Sequence, residues 1–236
     1  MVSILAVDTS SDNCSVALLH EGECSSLSAH APREHTQRLL PMIDELLISR
    51  GVALTDLDAI AYGRGPGSFT GLRIGLGVVQ GLAYAAELPV LPTSTLQAMA
   101  VTAQRLHHFS VEQPLLVALD ARMSEVYWGH FDSITAQPLS DEYVSPPADL
   151  ADYLYAQKNL SSFVGLGPGW HYPALQALSL AVEYQDIMPQ AEDILPLALA
   201  EWHAGGAIAV EDAQPTYLRD SVAWKKRELI RKPSVS

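Results

Sequence analysis

The chain has 236 residues, 48% of them apolar, and a formal net charge of −13. That length and apolar content suit one large domain or two small ones with a sizeable core, and so acidic a chain is not built to wrap nucleic acid unaided, because phosphate binding is driven by Lys and Arg. Met1-Val2-Ser3-Ile4-Leu5 has no charged leader and its apolar run breaks at Asp8, and no stretch reaches the ~18 apolar residues of a membrane helix, so a cytoplasmic protein is expected, without signal peptide or membrane span.

Cys14 and Cys24 are the only cysteines, and a reduced pair is expected in so large a core. Residues 4–7 read as a buried strand, followed by the polar turn Asp8-Thr9-Ser10-Ser11-Asp12-Asn13 and strands at 14–19 and 24–29. Such a tip suits metal-bound phosphate, with Asp8 reaching it through magnesium water and the hydroxyls of Thr9, Ser10 and Ser11 on oxygen. An ordinary Asx or ST turn fits the same spacing. Next, Pro32-Arg33-Glu34-His35 opens a helix, with Pro32 and Glu34 in its first turn. Leu39, Met42, Ile43, Leu46 and Leu47 recur at helical spacing, and Pro41 should bend the helix. Leu40 and Ile48 fall off that stripe, so the helix is apolar on more than one face. This predicts burial on two sides, against its own core and against a partner protein.

A strand at 57–62 feeds the run Gly63-Arg64-Gly65-Pro66-Gly67-Ser68-Phe69-Thr70-Gly71, and a helix follows that Ser68 or Thr70 can cap. That helix carries Gly71-x-x-x-Gly75 and Gly77-x-x-x-Gly81. Interior glycines cost ~1 kcal/mol each relative to alanine, which is tolerated where another backbone comes close. Loop amides before a helix can bind an anion. Neither Gly-Lys-Ser/Thr nor a well-placed Gly-x-Gly-x-x-Gly is present, so close helix packing is the better reading. A short strand at 88–92 and a helix at 93–108 complete the first half.

The second half opens with a strand at 114–119 ending at Asp120, then strands at 126–131 and near 143–144. A helix at 147–155, a strand at 163–166 with a glycine loop, a helix to 178, a strand at 181–184 and a helix at 194–203 follow. Asp120-Ala121-Arg122-Met123 lacks the glycines that would admit a phosphate loop, although Arg122 can reach an anion. Trp170-His171-Tyr172 can stack on a base or simply pack. The run 224–232 is the one basic segment, suited to tRNA or partner contact or to plain solvation. None of the eight histidines forms the His-x-x-x-His pair that places two ligands on one helix face, so no metal is expected.

Four segments carry a family resemblance: Ala6-Val7-Asp8-Thr9-Ser10 with Cys14-Ser15-Val16-Ala17; Pro32-Arg33-Glu34-His35-Thr36-Gln37; Tyr62 through Gly75; and Asp120 through Tyr127. Together they resemble the TsaB (YeaZ) family of the actin-like ATPase and sugar kinase superfamily, and Tyr217-Leu218-Arg219 with Val222-Ala223-Trp224-Lys225-Lys226 is similar to its proteobacterial branch. The resemblance implies an α/β fold of two actin-like, ribonuclease H-like lobes with mixed sheets and helices on both faces. They are placed at 1–105 and 106–225, the second reduced, with a basic tail at 226–236. It also implies a role in forming threonylcarbamoyladenosine next to the anticodon of tRNA. In that pathway the related TsaD carries catalysis, TsaB is a non-catalytic scaffold and activator, and the ATPase TsaE joins them. tRNA is then met only through the complex, and the chain alone pairs with a second copy. Asp8, Thr9, Ser10 and Ser11 become a vestigial nucleotide site with no tightly bound cofactor and weak ATP or ADP contact within the complex. The partner interface is expected at His35, Arg38, Leu39, Met42, Ile43 and Leu46 on the first helix, and at Thr70, Arg73, Ile74, Gly77, Val78 and Gly81 on the second. An independent ATPase or kinase and a metallopeptidase are the rival readings. The missing histidine pair weighs against the latter.

Overall fold

The computed structural model describes residues 1–110, 113–157 and 160–219; the basic run at 224–232 and the tail at 226–236 lie outside them. Strand β1 (Ile4–Asp8), every residue of it buried, pairs antiparallel with β2 (Asn13–His20), which pairs with β3 (Glu23–His30). Helix α1 (His35–Arg50) leads to β4 (Ala59–Gly65), α2 (Phe69–Ala86), β5 (Val90–Ser94) and α3 (Thr95–Leu106). β4 lies parallel to β1, and β5 parallel to β4, so the sheet order is β3-β2-β1-β4-β5.

The second lobe repeats this design. β6 (Leu115–Arg122), β7 (Glu125–Phe131) and β8 (Tyr143–Ser145) form the antiparallel part, followed by α4 (Pro147–Tyr155), β9 (Val164–Leu166), α5 (Pro173–Gln176), β10 (Val182–Tyr184) and α6 (Ala191–His203). The order β8-β7-β6-β9-β10 matches the first sheet strand for strand. Its reduction is visible in three strands of only three residues each.

Alternation along β1 sends Leu5 and Val7 to one face and Ile4 and Ala6 to the other. The first pair packs under α1 and α2 with Leu39, Ile43, Leu46, Leu76 and Val79. The second pair is covered by Ala191, Ile194, Leu195 and Ala198 of α6. This corrects the expected lobe boundary: α6 and the segment after it return to the first sheet, because α1 and α2 leave that sheet's other face bare. Ile208 bridges to Val90, and Ala213 enters the first core. Helix α3 serves both lobes, with Leu96, Met99, Ala100 and Ala103 under the second sheet and Ala98 in the first. Arg105 at its end is clamped to Asp193 at 2.8 and 2.9 Å and to Glu192 at 2.8 Å, on α6.

One local expectation changes. Helix α1 begins at His35, not at Pro32, since Arg33 takes a left-handed φ of 68° and Glu34 is the N-cap residue. Pro41 lies inside the helix.

Candidate partner face and interlobe cleft

The Asp8 turn is closed upon itself. Asp8 is 1% exposed. Ser10 donates to Asp8 Oδ1 from its amide at 3.1 Å and its hydroxyl at 2.9 Å, and that hydroxyl lies 3.0 Å from Oδ2. Burial pushes the carboxyl up to about 6 against the pull of these bonds. Thr9 Oγ donates to the carbonyl of Gly71 at 2.8 Å, and the Ser68 amide donates to the carbonyl of Ser10 at 2.7 Å. A Cβ on Gly71 would sit 2.0 Å from the Thr9 carbonyl oxygen, and one on Gly75 would sit 2.3 Å from Thr9 Oγ1. The first glycine pair therefore admits the β1–β2 turn rather than another helix. Ser68 is the cap of α2, accepting from the Gly71 amide at 3.2 Å.

The second acidic hairpin is occupied by its own chain. Asp120 accepts from the Arg122 amide at 2.9 Å and from its guanidinium at 3.1 Å, and from the Tyr172 hydroxyl at 2.8 Å. Arg122, Met123 and Ser124 take left-handed φ of 62°, 54° and 61° without glycine. Arg219 holds this turn, donating to the Ala121 carbonyl and the Glu125 carboxylate. Between the two hairpins lies a cleft of about 400 Å³, lined among others by Ser10, Ser11, Ser68, Thr70, Arg122 and Arg219. Asp8 is sealed within its own turn, and Asp120, which lines the cleft, is already paired within its own hairpin and with Tyr172. Trp170 is a core residue instead of a stacking platform: it is fully buried, and Nε1 donates to the Leu116 carbonyl at 3.2 Å.

The expected interface residues separate into two groups. His35, Leu39, Met42, Ile43 and Leu46 are buried in the first lobe itself, and His35 Nε2 donates to the carbonyls of Ser11 and Asn13 at 3.0 and 3.2 Å. They are removed from the candidate surface, because this stripe of α1 is the one that its own sheet claims. The outer stripe of α1 is different, with Leu40 49% and Ile48 70% exposed. Arg38 is exposed and paired with Glu34. On α2, Thr70, Arg73, Gly77 and Gly81 are exposed, and Ile74 and Val78 half-buried. A Cβ at Gly77 or Gly81 would meet nothing within 4 Å. Phe69 and Tyr84 are exposed at the two ends of the same helix.

A family model described as TsaD: tRNA N6-adenosine threonylcarbamoyltransferase matches residues 29–226. The tRNA threonylcarbamoyladenosine biosynthesis protein TsaB of Escherichia coli is 44% identical over 229 residues, covering 94% of this chain and 97% of its own. That of Haemophilus influenzae is 40% identical over 236 residues, covering 95% and 97%. YeaZ from Pseudomonas aeruginosa superposes with a TM-score of 0.83 at 42% identity, covering 92% of this chain and all of that one. The chain belongs to the TsaB (YeaZ) family of tRNA threonylcarbamoyladenosine biosynthesis proteins.

A tRNA N6-adenosine threonylcarbamoyltransferase of Nitrosospira multiformis is 37% identical over 105 residues, covering 37% of this TsaB-family chain and 30% of its own. Among the described residues of this chain no group of three His, Cys, Asp or Glu is placed to hold a metal, and no helix is long and apolar enough to cross a membrane. Sequence reasoning missed what residues 213–219 do. Gln80 Nε2 donates to the Ala213 carbonyl at 3.2 Å, the Tyr62 hydroxyl to that of Gln214 at 3.2 Å, and the Thr216 amide to that of Arg64 at 2.7 Å. Tyr217 then lies against Phe69, ring centroids 5.5 Å apart. Tyr217-Leu218-Arg219 stood out in the sequence only as a motif, because its partners lie more than 90 residues away.

Proposed function

We propose that this chain is a non-catalytic scaffold and activator of the TsaD transferase in threonylcarbamoyladenosine formation, docking through the outer face of α1 and α2. The observation that carries the reading is the second glycine pair. Gly77 and Gly81 have open space where their side chains would be, on an exposed stripe of α2, and Leu40 and Ile48 are exposed on α1. Alanine would stabilise such a helix, so glycine there suits a second backbone that approaches closely. The sealed Asp8 and the paired Asp120 favour a structural over a nucleotide-processing role. In this reading no nucleotide is held tightly, ATP or ADP contact is weak and made within the complex, TsaE joins the assembly, and the isolated chain pairs with a copy of itself through the same face. The test is threonylcarbamoyl transfer to tRNA by TsaD, titrated with this chain. Stoichiometric stimulation is expected; magnesium-dependent ATP turnover by the chain alone would favour the kinase-like alternative.

A further inference from the structure

Arg73 is the single charged residue of α2, and its guanidinium is held in an unusual way. Its central carbon lies 3.8 Å from the centroid of the Phe69 ring and 5.8 Å from that of Tyr217. Nε donates to the Tyr217 hydroxyl at 3.0 Å. The group is thus oriented by aromatic faces and a phenol. Arg38, Arg50, Arg105, Arg122 and Arg219 each pair with a carboxylate, while none of the ion pairs among the described residues includes Arg73. With Nε engaged, Nη1 and Nη2 have no hydrogen-bond partner among the described residues and form a planar two-donor edge, the geometry that matches a carboxylate. Arg73 is exposed, on the same stripe as Gly77 and Gly81.

We infer that Arg73, Phe69 and Tyr217 form a carboxylate receptor, and that its occupant is an Asp or Glu side chain on the partner helix that packs along α2. This rests on the docking face proposed above. The charge argument selects the occupant. In a chain of net charge −13, acidic groups are repelled generally, so a lone pre-oriented cation on an otherwise uncharged helix fixes where an acidic partner residue can sit and thereby sets register. A phosphate of tRNA has matching oxygens, but its neighbours on the backbone would meet a chain of net charge −13. The inference also makes the strap at 213–219 part of the partner surface, since it supplies Tyr217.

The experiment measures the affinity of TsaD for the full chain at low and high salt, with wild type, Arg73→Ala, Arg73→Lys, Tyr217→Ala and the Arg73→Ala/Tyr217→Ala double variant, and Gly77→Arg as the control on the face. Arg73→Ala should weaken binding roughly tenfold to a hundredfold, as loss of a charge-assisted hydrogen bond does, and should flatten the salt dependence. Lysine should recover only part, because it lacks the planar edge. The double variant should bind no worse than the weaker single, since both remove one device. Wild-type affinity of Arg73→Ala with loss of binding by Gly77→Arg would overturn the receptor and leave the face standing. Retained binding by Gly77→Arg would overturn both. Weakened tRNA binding with unchanged TsaD affinity would replace the carboxylate by a phosphate and overturn the inference as stated.

Discussion

Asp8 and His130 carry opposite pH signatures. Burial raises the Asp8 carboxyl to about 6, so the fold favours its protonated form. That contribution is present in full at low pH and is lost as pH rises through about 6. Asp8→Asn should therefore stabilise the chain above pH 6, by up to about 3 kcal/mol at 1.36 kcal/mol per pH unit, and give no gain near pH 4; denaturant midpoints across pH measure this. His130 is the reverse case. Burial beside Trp128, Tyr153 and Phe163 holds its imidazole down at about 4, and its Nε2 has no partner among the described residues. The fold favours neutral imidazole, so stability falls as pH drops from about 6.5 toward 4. His130→Phe should abolish that acid limb and, by removing an unpaired buried nitrogen, leave stability at pH 7 equal or higher by about 1–3 kcal/mol. Neither shift was legible in the sequence. Asp8 was visible as a polar tip residue, but the spacing of Asp8-Thr9-Ser10 is common to a phosphate site and to a turn that satisfies itself, and only the packing of Gly71 and Gly75 against Thr9 separates the two.

At the scale of elements, the glycine helix holds two different instructions in one repeated pattern. Gly71→Ala or Gly75→Ala places a methyl against the Thr9 carbonyl or hydroxyl and should destabilise by about 1–3 kcal/mol or more. Gly77→Ala and Gly81→Ala have room and should each stabilise the isolated chain by up to about 1 kcal/mol, which thermal melts of the four variants would show. Spacing declares that something comes close to a glycine, not what or on which side. The same limit applies to α1. Periodicity identified the stripe Leu39, Met42, Ile43, Leu46 and the residues off it, Leu40 and Ile48, but a helix with two apolar faces does not state which one its sheet will take. The strands were easier to read, because alternation, polar turns and buried runs are local signals.

On the scale of the whole molecule, the succession of three strands, helix and strand in each half was readable, and the two-lobe fold came with the resemblance its motifs carry. The return of α6 and residues 208–217 to the first lobe was not readable, since it depends on which sheet face lacks a cover. That return ties the lobes together: the segment runs along the first lobe from Ala213 to Tyr217 and ends with Arg219 on the second-lobe hairpin. Arg219→Ala should loosen that hairpin, seen as faster hydrogen exchange at residues 121–126 with the melting of the first core unchanged. The central proposition is that this chain works by docking TsaD through α1 and α2 without chemistry of its own. Threonylcarbamoyl transfer to tRNA by TsaD, with wild type, Asp8→Asn and Gly77→Arg, each checked for folding by circular dichroism, tests it most directly. Asp8→Asn is expected to support transfer as wild type does. Gly77→Arg is expected to stay folded yet to lose both binding and stimulation, because a charge buried unpaired in an interface costs several kcal/mol. Loss of transfer by Asp8→Asn in an intact complex, or full stimulation by Gly77→Arg, would contradict it.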